Sequence, residues 1–239
     1  MIDLKKNVAL QYPAQTIPWL EVRLNDDMMK HLWKMVEKGE KRGTNMKHTL
    51  VGNISNSFAI DDKDNYFTTE VLFPLCNLYD NRVPDTTKHL LDVSPAVDEN
   101  EKFIYPCANT LFLESFWANY QYKHEFNPPH NHAGAFSFVI WMKIPYDSAE
   151  QRKEKFLDGT SENDKKPGTF YFEFVNMFGD ITHTIYPMDP SVEGTMMFFP
   201  SKLRHGVHPF YSCDEKRVSI SGNLKYIFKY SNEQHHRKA

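Results

Sequence analysis

Two short segments of the chain contain histidines at spacings that could bind a transition metal. The first, Asn-Pro-Pro-His-Asn-His-Ala-Gly at residues 127–134, contains His130 and His132, and the second, at residues 198–209, contains His205. Imidazole is the commonest transition-metal ligand, and two imidazoles one residue apart can reach one ion where the backbone bends between them. A third histidine from a distant strand would complete the site. A His-x-His pair alone is more often structural, so the assignment depends on the elements around it.

Short apolar runs after Thr110 predict the strands that would position these histidines. The runs are rich in Phe, Tyr, Val and Ile and are separated by Pro, Gly and Asn, which is typical of antiparallel strands. The five predicted strands are Leu111–Tyr122, Phe136–Ile144, Thr169–Val175, Gly194–Phe199 and Arg217–Leu224. In a jelly roll, strands far apart in sequence are neighbours across the barrel, so His205 can meet the first pair at the barrel mouth.

Two helices are predicted in the first half of the chain. Asn25 can cap the first helix, whose apolar positions recur at helical spacing and which we expect to end at Gly39. These apolar positions are Met28, Leu32, Met35 and Val36. The second helix covers about residues 64–78 and carries a broad apolar stripe, and we expect Pro74 to kink or end it.

A polar stretch, Tyr146–Gly168, separates the second and third predicted strands. It is dense in Glu, Lys, Asp and Gln, which predicts an exposed insertion rather than a part of the core. The alternative is a lid on the substrate side, since long loops often carry function.

The overall composition favours a folded protein and argues against a nucleic-acid partner. Of the 239 residues 41% are apolar and 14% aromatic, and the formal net charge is −3, so the basic excess that phosphate binding needs is missing. No apolar run approaches the ~20 residues of a membrane span, and the first residues do not resemble a signal peptide. We therefore expect a cytoplasmic protein with no membrane partner. Its three cysteines are few and widely spaced, which predicts no disulfide framework.

Several motifs follow one another in an order that resembles a known superfamily. A Pro-His-x-His pair at 129–132 precedes a strand, a Phe-Pro step at 199–200 precedes His-x-Val-x-Pro at 205–209, and Arg-x-Ser follows at 217–219. In this order the chain resembles the iron(II)- and 2-oxoglutarate-dependent oxygenases, in particular short oxygenases common in bacteriophages, and more distantly the prolyl hydroxylases. The resemblance is specific over about 117–223 and loose over the preceding half, including residues 50–54.

The resemblance implies a fold and a domain division. The fold class expected is mainly β with flanking helices, built on a double-stranded β-helix, or jelly-roll, core. We expect one oxygenase domain with a helix-containing support region at 1–109, the β-helix core at 110–228 and a tail at 229–239. A phage-encoded chain would act in the host cytoplasm.

The resemblance also implies roles for individual residues. His130 matches the first iron ligand and His205 the distal one. Arg217 matches the basic residue that pairs with the distal carboxylate of 2-oxoglutarate, and Ser219 matches its hydroxyl neighbour. A guanidinium suits this task because it can bind a carboxylate through two parallel hydrogen bonds. Two residues on the strand before the first histidine, Asn119 and Tyr120, are further candidates for contact with the cosubstrate, although core packing is equally expected for Tyr120.

Residue 132 departs from the family pattern, which has Asp or Glu as the second ligand. Three interpretations remain open: His132 binds iron in a three-histidine site, His132 points away and water fills the position, or the register shifts and Gly134 leaves the position open. Some relatives without the carboxylate hydroxylate with two histidines and others bind halide in the gap. The reaction outcome is therefore open as well. We favour His130, His132 and His205 as a group, with His208 as a competitor for the role of His205.

Two functions from different classes are compatible with the sequence. The first is an Fe(II)- and 2-oxoglutarate-dependent dioxygenase that hydroxylates a protein or peptide, including a prolyl side chain, or a small molecule, with release of succinate and CO2. The alternative is a metal-binding or ligand-binding jelly roll without catalysis. The expected partners are 2-oxoglutarate, O2 and a substrate that the sequence does not identify. A homodimer is left open.

Overall fold

Strands make up most of the secondary structure in this computed structural model, which describes residues 8–11, 17–83, 96–97, 103–104 and 108–229. The strands are β1 (Val8–Gln11), β2 (Trp19–Arg23), β3 (Asn56–Ala59), β4 (Ala96–Val97), β5 (Phe103–Ile104), β6 (Ala108–Gln121), β7 (Asn127–His130), β8 (Phe136–Lys143), β9 (Phe170–Val175), β10 (Ile181–Tyr186), β11 (Thr195–Pro200), β12 (Arg204–Val207) and β13 (Arg217–Lys229). The α-helices are α1 (Asp26–Arg42), α2 (Phe73–Arg82) and α3 (Ser148–Gln151), and a π-helical segment, Thr68–Leu72, runs directly into α2.

Eleven of the described strands form two antiparallel sheets that enclose a barrel, and β4 and β5 pair separately with each other. The major sheet has the order β1-β2-β11-β8-β13-β6-β3, and the minor sheet has the order β10-β9-β12-β7. From β6 to β13 the chain distributes its strands between the two sheets, with β6, β8, β11 and β13 in one and β7, β9, β10 and β12 in the other. This is the arrangement of a double-stranded β-helix. The predicted fold class, mainly β with flanking helices around a jelly-roll core, is confirmed.

Alternation along β6 separates a side that faces the helices from a side that faces the barrel. Ala118 and Tyr120 pack in the apolar core that the major sheet shares with α1 and α2, whereas Trp117 and Asn119 line the space between the sheets. This follows from the two-residue period of a strand. A second core, formed by residues of both sheets such as Trp141 and Phe172, fills the closed part of the barrel.

Helix α1 begins as the sequence predicts but ends later. The Asn25 side chain accepts a hydrogen bond from the Met28 N–H at 2.9 Å, and the helix ends at Gly43, whose φ is +70°. The expectation that Gly39 ends the helix was wrong. Gly39 is buried inside the helix, and a Cβ there would lie 2.5 Å from Cγ2 of Ile60, so this glycine serves a close approach between helix and sheet.

The second helix passes through Pro74, which neither ends it nor stands at a break. The N–H of Phe73, just before the proline, donates to the carbonyl of Thr68 five residues earlier, as in a π-helix. This wider turn accommodates the proline ring, which would clash with the preceding turn of a regular α-helix. The expected helix over 64–78 therefore exists but continues to Arg82.

The sequence did not predict three of the four strands of the minor sheet. Strand β7 contains Pro128 and Pro129, which argue against a strand. The two prolines are tolerated because β7 lies at the edge of the sheet. Strand β10, Ile-Thr-His-Thr-Ile-Tyr, is polar at three of its six positions, and β12 has only four residues, so neither forms a clear apolar run. The consequence is that His130 and His205 lie at strand positions rather than in loops.

The predicted insertion between β8 and β9 is exposed over most of its length, although Tyr146 and Gly168 at its ends are buried. Of the predicted tail at 229–239, only Lys229 belongs to the described residues, and Cys107 also lies outside them. No helix in the described part of the chain has the length and apolar character needed to cross a bilayer.

Candidate metal centre

A cavity of about 400 Å³ between the two sheets brings the three candidate histidines together. Its walls come from the barrel side of both sheets and from residues 46–54, which cover one side. The volume is in the range of small-molecule sites. The ligand atoms that His130, His132 and His205 offer all lie within 4.8 Å of one another, and no carboxylate of the described residues joins this group.

His130 and His205 are held as a pair by the minor sheet. They are cross-strand partners in the antiparallel pair β7–β12, and their ring centroids are 4.4 Å apart. His208, the competitor for the role of His205, lies outside the group. Its ring stacks on Tyr171 at 4.6 Å between centroids. His205 and Val207, two residues apart on β12, both line the cavity.

The hydrogen bonds of His130 and His205 leave the same nitrogen of each ring available to a metal. Nδ1 of His130 lies 2.8 Å from the carbonyl oxygen of Pro128, and Nδ1 of His205 lies 3.0 Å from that of Leu203. A carbonyl can only accept, so Nδ1 carries the hydrogen in both rings and Nε2 keeps its lone pair. Fixing the tautomer in this way is the usual function of the groups behind a metal-binding histidine.

His132 is placed by a loop rather than by a strand. Its backbone N–H donates to the carbonyl of Ser201 at 2.8 Å, and the N–H of Ser201 donates to the carbonyl of Ala135 at 3.0 Å. The loop then turns at Gly134, whose φ is +111° and where a Cβ would lie 2.7 Å from the Leu224 carbonyl oxygen. The His132 ring centroid lies 4.9 Å from that of His130 and 5.1 Å from that of His205.

The three imidazoles are neutral at ordinary pH, which is the form that binds metal. Burial lowers the pKa of His130, lowers that of His132 to about 4 and lowers that of His205 well below its usual value. The neighbouring imidazoles add to the effect for His132 and His205. The described residues thus fit a divalent ion that prefers nitrogen ligands, with three neutral donors on one side of it.

Arg217 lies in the same cavity as a buried cation without a protein anion. Its side chain is 2% exposed, and among the described residues no carboxylate forms an ion pair with it. Its Nε has no hydrogen-bond partner, and Nε1 of Trp117, another wall residue, also lacks one. A buried unpaired charge is costly, so this position suits an anionic ligand with a carboxylate.

Ser219 and Asn119 also line the cavity, on neighbouring strands of the major sheet. They are cross-strand partners in the pair β13–β6. The hydroxyl of Ser57 donates to the Asn119 side-chain oxygen at 2.6 Å. Because this bond uses the oxygen, the amide nitrogen of Asn119 stays available as a donor. Both residues therefore face the same cavity as Arg217, and their contact with a cosubstrate stays a prediction.

Tyr120 does not join this group, and its predicted contact with the cosubstrate disagrees with the geometry. Because neighbouring residues of a strand face opposite sides, Tyr120 faces α1 while Asn119 faces the cavity. The Tyr120 hydroxyl donates to Glu40 at 2.8 Å, and Nζ of Lys216 lies 3.6 Å from the Tyr120 ring centroid. The expected core packing of Tyr120 is what the structure contains.

Sequence reasoning missed Tyr146, which contacts Arg217 from outside the cavity. The Nη1 group of Arg217 lies 3.4 Å from the Tyr146 hydroxyl oxygen. The signal available in the sequence was an aromatic residue at the junction between an apolar strand and a polar insertion. Tyr146 was instead counted with the exposed insertion that it begins.

Comparison with known proteins finds a family match within the barrel. Residues 115–223 match a family described as "Putative 2OG-Fe(II) oxygenase", and this match confirms the predicted resemblance to the 2OG-Fe(II) oxygenase superfamily. It also supports Fe(II) and 2-oxoglutarate as cofactor and cosubstrate. No curated protein is significantly similar to the chain in sequence.

Solved structures with a similar course of the chain include two prolyl hydroxylases and an epimerase. A prolyl-4-hydroxylase of Pseudomonas putida is 14% identical, with 95% of this chain and 96% of that chain covered and a TM-score of 0.46. A Trichoplax adhaerens prolyl hydroxylase, solved with a peptide of hypoxia inducible factor, is 12% identical over 94% and 86% of the two chains, with a TM-score of 0.45. The α-ketoglutarate-dependent epimerase SnoN of nogalamycin biosynthesis is 12% identical over 92% and 86%, with a TM-score of 0.47.

Proposed function

We propose, from the 2OG-Fe(II) oxygenase pattern in residues 115–223, that this chain is an iron(II)- and 2-oxoglutarate-dependent dioxygenase that hydroxylates its substrate. The observation that carries the proposal is the shared cavity, in which three neutral imidazoles stand near a buried guanidinium without a carboxylate partner. The three imidazoles suit a divalent metal, and the guanidinium suits one carboxylate of a dicarboxylate. One cosubstrate with a carboxylate at each end could use both.

His130 and His205 would hold the metal through Nε2, and His132 would add a third imidazole. His130 and His205 are locked by the sheet and by their Nδ1–H hydrogen bonds, and His132 is held through its backbone. The bound Fe(II), with 2-oxoglutarate and O2, supplies the oxidation that converts a C–H bond to C–OH while 2-oxoglutarate becomes succinate and CO2. The protein contributes binding, orientation and exclusion of water.

The guanidinium of Arg217 would bind the distal carboxylate of 2-oxoglutarate. Ser219 and the free amide nitrogen of Asn119 offer further hydrogen bonds from neighbouring positions of the major sheet. Because all three residues belong to paired strands, they would hold the cosubstrate in one orientation relative to the histidines.

The substrate would enter beside residues 46–54, which form the outer wall of the cavity. This wall contributes the apolar residues Met46, Leu50, Val51 and Ile54. A protein or peptide side chain, including a prolyl side chain, or a small apolar molecule fits such a wall. The choice of a prolyl substrate rests on the sequence resemblance alone.

The decisive experiment uses the full chain under anaerobic conditions. Fe(II) and 2-oxoglutarate together should give a visible absorption band from the chelated cosubstrate, and admission of O2 should then yield succinate and CO2. Absence of both the band and 2-oxoglutarate turnover with any substrate would leave only the ligand-binding alternative. The His205→Ala variant should lose both signals, and His208→Ala, whose ring is outside the cavity, is the matched control.

The substrate itself can be sought by mass spectrometry. Candidate proteins and small molecules incubated with the wild type, but not with His205→Ala, should gain the mass of one oxygen atom. A change without that gain, such as inversion of a stereocentre, would indicate an oxidative outcome other than hydroxylation.

A further inference from the structure

Tyr146 touches the Arg217 guanidinium without reaching the cavity. Its hydroxyl donates to the Gly168 carbonyl at 2.7 Å, and its oxygen lies 3.4 Å from Nη1 of Arg217. The hydroxyl has one hydrogen, which the carbonyl receives, so its oxygen can only accept from Arg217. Tyr146 is not a wall residue. Its contact with Arg217 is therefore the direct connection between Tyr146 and a wall residue of the cavity.

The position of the Tyr146 ring is fixed on two sides. Phe210 stacks on it, with 4.5 Å between ring centroids and 23° between planes. On another side, a Cβ at Gly168 would lie 2.7 Å from Cε2 of the ring, and the φ of Gly168 is +69°. The backbone thus approaches the ring as closely as only glycine allows.

This hydroxyl is the side-chain hydrogen-bond partner of Arg217 within the described residues. Arginine has a long, flexible stem, and a single fixed acceptor selects one of its orientations. With Nη1 directed to Tyr146, the remaining N–H groups, including the unpartnered Nε, stay free for a ligand. The arrangement is ready before any ligand arrives, which reduces the entropy lost on binding.

Tyr146 also links the two ends of the polar insertion. Residues 147–167 leave the barrel after Tyr146 and return at Gly168, and the hydroxyl–carbonyl hydrogen bond joins these two ends. The Gly168 N–H donates in turn to the Pro209 carbonyl at 2.8 Å. A displacement at the base of the insertion would therefore move the group that Arg217 contacts.

We propose that Tyr146 is a positioning residue that orients the Arg217 guanidinium toward the distal carboxylate of 2-oxoglutarate and couples the affinity for this cosubstrate to the base of the insertion. The inference rests on the proposed function. Tyr146 acts on the carboxylate end of the cosubstrate only, so its loss leaves the histidines and the metal unaffected.

The test compares two ligands that differ by the distal carboxylate. The full chain, loaded anaerobically with Mn(II), is titrated calorimetrically with 2-oxoglutarate and with 2-oxopentanoate, which has the same chain length but no second carboxylate. Tyr146→Phe keeps the ring and removes the hydroxyl. We expect it to bind 2-oxoglutarate about 5-fold to 20-fold more weakly. Its affinities for 2-oxopentanoate and Mn(II) should match those of the wild type.

The matched control is Tyr186→Phe, which removes a partly buried hydroxyl that accepts from Trp19 Nε1 and does not contact Arg217. This control should bind both ligands like the wild type. Equal affinity of Tyr146→Phe and wild type for 2-oxoglutarate would overturn the positioning role. Equal weakening for both ligands would overturn it too, since that result indicates general loosening. The ratio of the two affinities is independent of the folded fraction, so a destabilised variant still gives an answer.

Two further variants test the route through Arg217. Gly168→Ala would push the Tyr146 ring away and should give the same selective loss for 2-oxoglutarate. In an Arg217→Met background, Tyr146→Phe should cause no additional loss, and an additive effect would contradict the route. If the wild type does not bind 2-oxoglutarate at all, the proposed function itself is wrong. This result differs from the results that overturn only the positioning role of Tyr146.

Discussion

His130 and His205 stand directly opposite each other across the β7–β12 pair, and each directs its Nδ1–H to the carbonyl two residues earlier in the chain. The two candidate ligands therefore form one unit that the sheet holds in place. His132 differs, because a loop fixed by backbone hydrogen bonds to Ser201 carries it. The three positions should consequently respond differently to substitution.

Removing either histidine of the sheet pair should abolish tight metal binding. We expect His130→Ala and His205→Ala to weaken Fe(II) binding by at least about 100-fold, more than the effect typical of groups behind the ligands. Competition with a coloured chelator under anaerobic conditions measures this. His208→Ala should retain wild-type affinity. If His205→Ala held the metal as tightly as His208→Ala, the ligand assignment would be wrong.

Substitution of His132 should show whether this residue is a ligand or whether the third position is left to water or to an open site. If it is a ligand, His132→Ala should bind Fe(II) at least about 10-fold more weakly. His132→Asp, which introduces the carboxylate of the family pattern, should bind at least as tightly as the wild type because it offsets one charge of the ion. Wild-type affinity in His132→Ala, measured by the same chelator competition, would exclude His132 from the ligands.

Arg217→Met should weaken cosubstrate binding and stabilise the ligand-free chain. The affinity for 2-oxoglutarate should fall about 30-fold or more, with metal affinity unchanged. The free energy of unfolding without ligand should rise by about 1 kcal/mol, since a buried charge without an anion is replaced by an apolar side chain. Titration calorimetry and urea unfolding measure the two effects. Arg204→Met, at a surface ion pair with Glu173, should show neither. A less stable Arg217→Met chain would contradict the account of Arg217.

The metal-free chain should lose stability in mildly acidic solution, in part through His208. Burial lowers the pKa of His208 to about 4 from its ordinary 6.5. Between these values the unfolded chain binds more protons than the folded one. The contribution of His208 to the free energy of unfolding therefore falls as the pH decreases from 6.5 toward 4, and it is constant above pH 6.5. His208→Asn should reduce the slope by at most about 1.4 kcal/mol per pH unit.

Urea unfolding of the chelator-treated chain between pH 4.5 and 7.5 checks this dependence. A slope remains in the variant because burial also lowers the pKa of the cavity histidines. Identical slopes in wild type and His208→Asn would show that His208 does not contribute.

The main strands and the histidine group could be predicted from the sequence because their signals are local or ordered along the chain. Short apolar and aromatic runs indicated β6, β8 and β13, and the order of motifs pointed to His130, His205 and Arg217. Strand β7 escaped because its two prolines speak against a strand, and only its place at a sheet edge makes them acceptable.

Tyr120, Tyr146 and Gly39 show what required three dimensions. Tyr120 and Asn119 are neighbours on β6 and face opposite sides of the sheet. The sequence pattern did not decide whether Tyr120 faces the core or the cavity. Tyr146 was grouped with a polar neighbourhood in sequence, yet its partners Phe210 and Arg217 are more than sixty residues away. Gly39 resembles a helix stop, but its reason is the close approach of Ile60.

The prolines of β7 also bear on how molecules of this protein meet. An exposed strand edge can pair with a strand of another chain and start aggregation. Pro128 and Pro129 have no backbone N–H to offer, so a foreign strand cannot form a continuous ladder along the segment that leads to His130. The residues that fix the approach to the candidate metal centre thereby also protect its edge from self-association.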